Sequence, residues 1–162
     1  MKIILEDDDI KIYLNKEYIK EIDISNLDRL EDYLSKVFVR LKKGYQLEIL
    51  GYYELKILYD QFYGIALVLK KHDFEDELFE SQIDLDLNIN KNNFFLYQID
   101  DLESIENEIK KNFIIYLYNQ KLYLKLTSEI HSLQMAKLLE FCNIVSGDKV
   151  KKIVSKGKII CV

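Results

Sequence analysis

The chain has 162 residues, of which 49% are hydrophobic and 31% charged, and its formal net charge is -5 at pH 7. This balance is typical of a folded globular protein and excludes an intrinsically disordered chain. The longest apolar run, 65–69, is far shorter than the roughly 20 residues that a membrane-spanning helix needs. The acidic charge disfavours nucleic acid, because phosphate binding depends on clustered lysine and arginine. With no secretory signal at its start, we expect a cytoplasmic protein without a membrane or nucleic-acid partner.

The pattern of residues 1–72 predicts an N-terminal α+β domain. Alternating apolar and polar side chains over 1–14 indicate a short hairpin or one broken strand. A capping box at Ser25 and Asp28 then opens a helix that ends near Gly44. Its apolar side chains recur every three or four residues and form one helical face: Leu27, Leu30, Leu34, Val37, Phe38 and Leu41.

Residues 45–71 predict paired strands, since they are rich in β-branched and aromatic side chains and are interrupted by glycines. The composition then becomes strongly acidic, and we assign 73–81 as a charged linker, because like charges repel and resist packing. Apolar and polar side chains alternate again over 83–89, which predicts a short amphipathic strand at the start of the second domain.

Residues 82–162 predict a C-terminal α+β domain with the order β-α-β-β-α-β, which is the ferredoxin-like arrangement. A strand over 94–99 precedes a short helix that Asp100 caps. Thr127 or Ser128 caps the second helix, whose apolar surface is broader than burial against one sheet requires. Residues 149–162 predict the last strand, and its inward-facing side chains are Ile153, Ile159 and Cys161.

The two middle strands of this domain meet at a tight turn formed by Asn119 and Gln120. A two-residue turn gives the hairpin one aliphatic face and one tyrosine face. The facing pairs are Leu117 with Leu122, Ile115 with Leu124, and Tyr116 with Tyr123. A four-residue loop is the alternative, and it keeps these faces only if the register shifts by an even number. Since both helices of the predicted order pack on one face of the sheet, we expect the tyrosine face to be exposed.

No set of residues in the chain has the spacing of a catalytic or cofactor-binding site. His72 and His131 are the only histidines, and we interpret both as surface residues. Cys142 and Cys161 lack metal-ligand spacing and lie among apolar neighbours, which predicts buried free thiols. We interpret the Asp7–Asp9 cluster as a solvated turn in preference to a cation site. We interpret five lysines near the end as a solvated strand face: Lys149, Lys151, Lys152, Lys156 and Lys158. We therefore expect no metal, no cofactor and no enzymatic activity.

The second half of the chain resembles the C-terminal domain of MecA-type adaptor proteins. The family has an aromatic strand, an acidic-capped helix, a tyrosine-rich hairpin, a helix that ends in a Leu-Leu-Glu-aromatic-Gly-Asn stretch, and a last strand that ends around Gly-Lys, and this chain resembles it in that order. The corresponding segments are Phe94-Phe95-Leu96-Tyr97, Asp100-Asp101-Leu102-Glu103, residues 114–126, Leu138-Leu139-Glu140-Phe141-Cys142-Asn143 and Gly157-Lys158-Ile159-Ile160. Segments at 1–3, 10–12 and 44–71 are similar to the N-terminal domain of the family.

The resemblance implies a non-enzymatic bacterial adaptor that regulates proteolysis. Its C-terminal domain would bind a ClpC-type AAA+ unfoldase, and its N-terminal domain would recruit an unknown protein substrate for degradation. We predict that Tyr116, Tyr118, Tyr123 and Glu140 contribute to the unfoldase-binding surface. The alternative is a ferredoxin-like or ACT-like module that binds a small molecule or forms a homodimer through its sheet.

Overall fold

A computed structural model describes residues 1–6, 9–20, 26–47, 49–72 and 83–160 of the chain. It contains two compact units, one comprising Met1–Ile57 and Gly64–Asn90 and the other Leu58–Tyr63 and Lys91–Val162. The sequence pattern assigned residues from 82 onward to the second domain, whereas the structure places Ile83–Asn90 in the first unit. The predicted linker 73–81 lies outside the described residues.

The first sheet has five strands: β1 (Lys2–Glu6), β2 (Asp9–Asn15), β3 (Gly51–Asp60), β4 (Gly64–Lys71) and β5 (Ile83–Asn93). Their order across the sheet is β1-β2-β4-β3-β5. β1 pairs antiparallel with β2, which pairs antiparallel with β4. The predicted N-terminal hairpin and the predicted strands within 45–71 are thus confirmed. The alternating segment 83–89 is also a strand, and β5 lies beside β3 with its aliphatic side chains half-buried.

Two helices accompany this sheet, α1 (Lys16–Ile19) and α2 (Leu27–Tyr45). The α2 cap is Asn26, whose side-chain oxygen accepts a hydrogen bond from the Arg29 N–H at 3.2 Å, while the predicted cap, Ser25, lies outside the described residues. The helix continues past Gly44 and ends where Gln46 adopts a left-handed conformation, with φ of 55°. The predicted apolar face is confirmed for four side chains that are buried: Leu30, Leu34, Val37 and Leu41.

The second sheet also has five strands: β6 (Leu96–Ile99), β7 (Phe113–Tyr118), β8 (Lys121–Leu126), β9 (Asn143–Val145) and β10 (Lys158–Ile160). Their order is β10-β7-β8-β6-β9, and every neighbouring pair is antiparallel. With two sheets and few helices, the protein has a mixed α+β fold, as the sequence predicted.

The tight turn between β7 and β8 has the predicted length. Asn119 and Gln120 have φ of 48° and 61°. Positive φ at both central residues is typical of the type I′ turn, whose twist matches that of the two flanking strands. The register places Tyr116 opposite Tyr123 and Leu117 opposite Leu122, as predicted. The turn geometry thus sets which side chains share a face.

The end of the chain differs from the prediction. Instead of one extended segment over 149–162, it forms helix α5 (Asp148–Lys156) followed by the short strand β10. The strand that follows the second helix is instead β9, which the sequence pattern did not predict. Ile153 is buried as expected, but it lies on a helix, and Ile159 is largely exposed. Cys161 lies outside the described residues.

Helix α5 covers the tyrosine face of the second sheet. Tyr116 and Tyr123 pack into a buried cluster with Val150 and Ile153 of α5. The expectation that this face is exposed is therefore wrong. It failed because Val150, Ile153 and Val154 follow a three- and four-residue spacing that marks a helical face, whereas the prediction treated that segment as a strand.

The first helix predicted for the second domain is divided into two short elements. Asp101, not Asp100, is the cap, and its carboxylate accepts from the Glu103 N–H at 2.9 Å. It opens a 3-10 turn over Leu102–Ser104, and a separate helix, α3 (Asn107–Lys110), follows. Ile105 and Ile109 are buried, so both side chains pack inward despite the break.

Candidate functional site

Helix α4 (Ser132–Phe141) of the second unit begins with a reciprocal cap that was not predicted from the sequence. The His131 Nδ1 accepts from the Leu133 N–H at 3.3 Å, and the His131 N–H donates to Gln134 Oε1 at 3.1 Å. The predicted caps, Thr127 and Ser128, instead hydrogen-bond to Asn112. His131 thus has a structural role at the helix start, where it satisfies amides that would otherwise lack acceptors.

Two large apolar side chains lie exposed along α4. Leu133 is 68% exposed and Phe141 is 60% exposed, and their eight-residue separation places them on one side of the helix, with Lys137 midway. Leu138 faces inward and is buried. The broad apolar surface predicted for this helix therefore divides into an inner part, which packs, and an outer part, which faces solvent.

A groove separates α4 from the segment that contains α3. Ile105 and Ile109 line it together with Leu138 and Phe141, and its volume is about 90 Å³. Pockets for drug-sized ligands are larger, about 300–1,000 Å³. A volume this small suits one apolar side chain of a protein partner better than a small-molecule ligand.

The rim of the groove is charged. Lys137 Nζ donates to Glu106 Oε1 at 2.7 Å, joining the two walls. This hydrogen bond raises the pKa of Lys137, and the Glu106 and Glu140 carboxylates raise it further through their charge. Lys137 therefore stays protonated at neutral pH. The outer face of α4 combines two exposed apolar side chains with one exposed cation and the exposed Glu140 carboxylate, and we name Leu133, Lys137, Glu140 and Phe141 the α4 surface.

The predicted partner-binding residues fall in different environments. Glu140 is exposed on α4. Tyr118 is half-buried and packs at the margin of the cluster under α5. Tyr116 and Tyr123 are only 5% and 2% exposed, and burial, with a smaller contribution from Tyr118, raises the pKa of Tyr123. The structure thus does not bring the four residues together on one accessible surface.

Elsewhere in the same unit, a buried carboxylate organises a turn that the sequence marks only as a break between strands. Asp60 is 3% exposed. Its Oδ1 accepts from the N–H groups of Phe62 and Tyr63 at 2.8 and 2.7 Å, and its Oδ2 accepts from the Phe95 N–H at 2.8 Å. An aspartate at the end of a strand is a usual signal for such a turn, but nothing local in the sequence indicates the bond to Phe95.

Tyr97 is fully buried near this carboxylate. Its hydroxyl has no hydrogen-bond partner within the described part of the chain. Burial is the main reason that the pKa of Tyr97 lies well above its usual range, and the charges of Asp60, Tyr63 and Cys142 add to the effect. Cys142 is buried and forms no disulfide within the described residues, as predicted.

The sequence offered histidine, acidic and lysine side chains as further candidates for chemistry. Over residues 1–6, 9–20, 26–47, 49–72 and 83–160, no three His, Cys, Asp or Glu side chains lie close enough to hold a metal ion. Asp7 and Asp8 of the acidic cluster lie outside these residues. The His72 ring contacts the Tyr52 ring, with centroids 5.3 Å apart. Most of the C-terminal lysines lie on the exposed side of α5, not on a strand, and Lys151 pairs with Asp148 at 3.3 Å.

The fold and this surface define a mixed α+β protein with an exposed apolar and charged helix face. Comparison of the chain with protein families, with curated proteins and with solved structures found no match. None of the described helices is both long enough and apolar enough to cross a membrane.

Proposed function

We propose that this protein is a non-enzymatic adaptor that binds a ClpC-type AAA+ unfoldase through its C-terminal unit and presents other proteins for degradation. The resemblance of residues 94–162 to the C-terminal domain of MecA-type adaptors supports this proposal. A cytoplasmic location belongs to it, because the unfoldase partner acts there.

The observation that carries the proposal is the α4 surface. Leu133 and Phe141 expose most of their apolar area, and large apolar side chains clustered on a surface mark interaction sites. The groove beside Phe141 offers a partner one apolar side-chain site, and Lys137 and Glu140 offer polar contacts at its rim. Binding energy at interfaces concentrates in a few such side chains that a charged rim surrounds.

The proposal reduces the predicted contact set to residues that a partner can reach. Glu140 stays in it, together with Leu133 and Phe141. Tyr118 also stays in it, as a half-buried residue at the hairpin tip. Tyr116 and Tyr123 leave it, because they are buried in the cluster under α5.

The N-terminal unit is the proposed site of substrate recruitment. Two compact units in one chain suit this division, because a tether raises the effective concentration of one bound protein near the other. Binding of a degradation substrate to the full chain, unchanged in a Leu133→Glu variant of the C-terminal unit, is the corresponding measurement.

The full chain and a Leu133→Glu variant test the unfoldase contact. We expect the wild-type chain to bind the unfoldase and raise its ATPase rate, and the variant to bind at least about tenfold more weakly, because a carboxylate would enter an apolar contact. Val39→Glu is the matched control, since Val39 is an exposed apolar residue on α2. An unfoldase that neither binds the wild-type chain nor changes its ATPase rate would reject the proposal.

A ferredoxin-like binding module is the second candidate, and the strand order favours it. The strands β9-β6-β8-β7 follow the order that a β-α-β-β-α-β chain adopts in that arrangement, with β10 added at one edge. In such modules a ligand binds at a sheet-to-sheet interface between two copies. A ligand-dependent rise in melting temperature without any change in unfoldase ATPase rate would favour this candidate over the adaptor.

A further inference from the structure

The edge of the first sheet carries a second surface that the adaptor proposal does not use. β1 ends the sheet in the part of the chain that the structure describes, so alternate backbone N–H and C=O groups of β1 point away from β2. Leu5 in this strand is 64% exposed. An edge strand with an exposed apolar side chain is a template for pairing with another strand.

The residues of β1 make this edge complementary to itself. The strand reads Lys2-Ile3-Ile4-Leu5-Glu6, with a cation at one end, a carboxylate at the other and three aliphatic residues between them. In an antiparallel pair of two such strands centred on Ile4, Lys2 of each copy lies opposite Glu6 of the other. Ile3 lies opposite Leu5, which covers the exposed leucine.

Shifted antiparallel registers and a parallel orientation of the two strands do not pair the opposite charges. A shift by two residues places Lys2 or Glu6 opposite Ile4 and leaves both charges without a cross-strand partner. A parallel pair places lysine near lysine and glutamate near glutamate, and like charges directly across a strand pair are unfavourable. Only the centred antiparallel register pairs both charges and all the aliphatic residues.

The side-chain directions are compatible with this register. Within the sheet, Ile3 and Leu5 lie opposite Ile12 and Ile10 of β2, so they share the face of those aliphatic residues. Glu6 also forms an ion pair with Lys11 on the opposite face. A carboxylate has two oxygens and accepts several hydrogen bonds, so Glu6 can meet Lys11 of its own chain and Lys2 of a second copy together.

We propose that β1 is a self-association site, at which two copies of the chain pair antiparallel through Lys2–Glu6 to form one continuous ten-stranded sheet. Backbone hydrogen bonds supply the attraction and the two Lys2–Glu6 pairs supply the register. This pairing is independent of the unfoldase contact, because β1 lies in the N-terminal unit and the α4 surface in the other.

Charge reversal tests the register with the full chain. The Lys2→Glu variant has carboxylates at both ends of β1, and the Glu6→Lys variant has ammonium groups at both ends. In a dimer of either variant, residue 2 of one copy and residue 6 of the other carry like charges. We therefore expect the dissociation constant of that dimer to be about tenfold higher than that of the wild type. An equimolar mixture of the two variants restores opposite charges at both positions, and it should dimerise as the wild type does.

Sedimentation velocity over a concentration series up to about 1 mM, the range of weak complexes, is the measurement. Leu5→Arg is an additional variant, because the arginine is solvated in the monomer but would meet Ile3 of the second copy in the dimer. Val39→Arg is its matched control, and circular dichroism verifies that each variant is folded. A monomeric wild type throughout the series, or a mixture that associates no better than the single variants, would overturn the proposal.

Discussion

Replacing the Asp60 carboxylate should destabilise the second unit strongly, because three backbone amides depend on this one side chain. Asp60 accepts from these N–H groups at 2.7 to 2.8 Å, two of them in its own turn and one at Phe95, 35 residues later in the chain. The carboxylate thus joins two distant segments of one unit. The change to test is Asp60→Asn, which keeps the size of the side chain but replaces one acceptor oxygen by a donor.

The expected loss in the free energy of unfolding follows from the number of hydrogen bonds that each substitution removes. A hydrogen bond to a charged group contributes about 1.5–3 kcal/mol, and a buried donor left without a partner costs about 1–3 kcal/mol. In Asp60→Asn the remaining oxygen keeps the two turn amides, and the amide group then faces the Phe95 N–H, donor against donor. We expect a loss of about 2 kcal/mol for this variant and about 4 kcal/mol for Asp60→Ala, which removes all three acceptor contacts.

Urea unfolding followed by circular dichroism measures the free energy, and hydrogen exchange of the Phe95 amide measures the local effect. With a slope of about 1–3 kcal/mol per molar urea, Asp60→Asn should lower the midpoint by roughly 1 M and accelerate exchange at Phe95. Asp100→Asn is the matched control, since Asp100 is exposed and surface changes usually stay within about 0.5 kcal/mol. Equal midpoints for the two variants, with unchanged exchange at Phe95, would refute the role of the carboxylate.

Three further substitutions test other parts of the second unit by the same unfolding assay. Tyr97→Phe removes a buried hydroxyl without a described partner, so stability should be unchanged or rise by about 1 kcal/mol. Because folding raises the pKa of Tyr97, ionisation of its hydroxyl favours the unfolded state. The stability of the wild type should therefore fall as the pH rises above about 10. This fall should be smaller in Tyr97→Phe. Ile153→Ala, at a fully buried position of α5, should cost about 2–4 kcal/mol, whereas an unchanged midpoint would show that α5 does not hold the tyrosine face. Gln120→Gly should stabilise the hairpin by about 0.5–1 kcal/mol, because glycine adopts positive φ freely, and a lower midpoint would contradict the turn geometry.

Local patterns predicted much of the first sheet and of the β7–β8 hairpin. The spacing of apolar residues in α2 is a property of the helix period alone, so the buried face of that helix could be identified without knowing what packs on it. The hairpin register likewise follows from turn length, since a two-residue turn leaves one choice of facing pairs. Both kinds of signal involve residues close together in the chain.

The candidate site was predicted only in part, because exposure depends on what packs against a surface. The broad apolar surface of the second helix and the position of Glu140 were visible in the sequence. The charged tether from Lys137 to Glu106, across 31 residues, was not visible, and neither was the covering of Tyr116 and Tyr123 by α5. A tyrosine on a strand looks the same in sequence whether water or a helix lies over it.

The sequence by itself determined the α+β class, the apolar face of the first long helix, and the pairing across the Asn119–Gln120 turn, since each rests on periodicity or turn chemistry within a short segment. The tertiary structure alone decided that the tyrosine face of the second sheet is covered. Residues 148–156 form a helix because burial of Val150 and Ile153 against the tyrosines lowers the free energy of the fold. An edge strand over the same residues would leave those side chains half exposed. The outer side of α4, with Leu133 and Phe141, is an accessible apolar surface of the C-terminal unit.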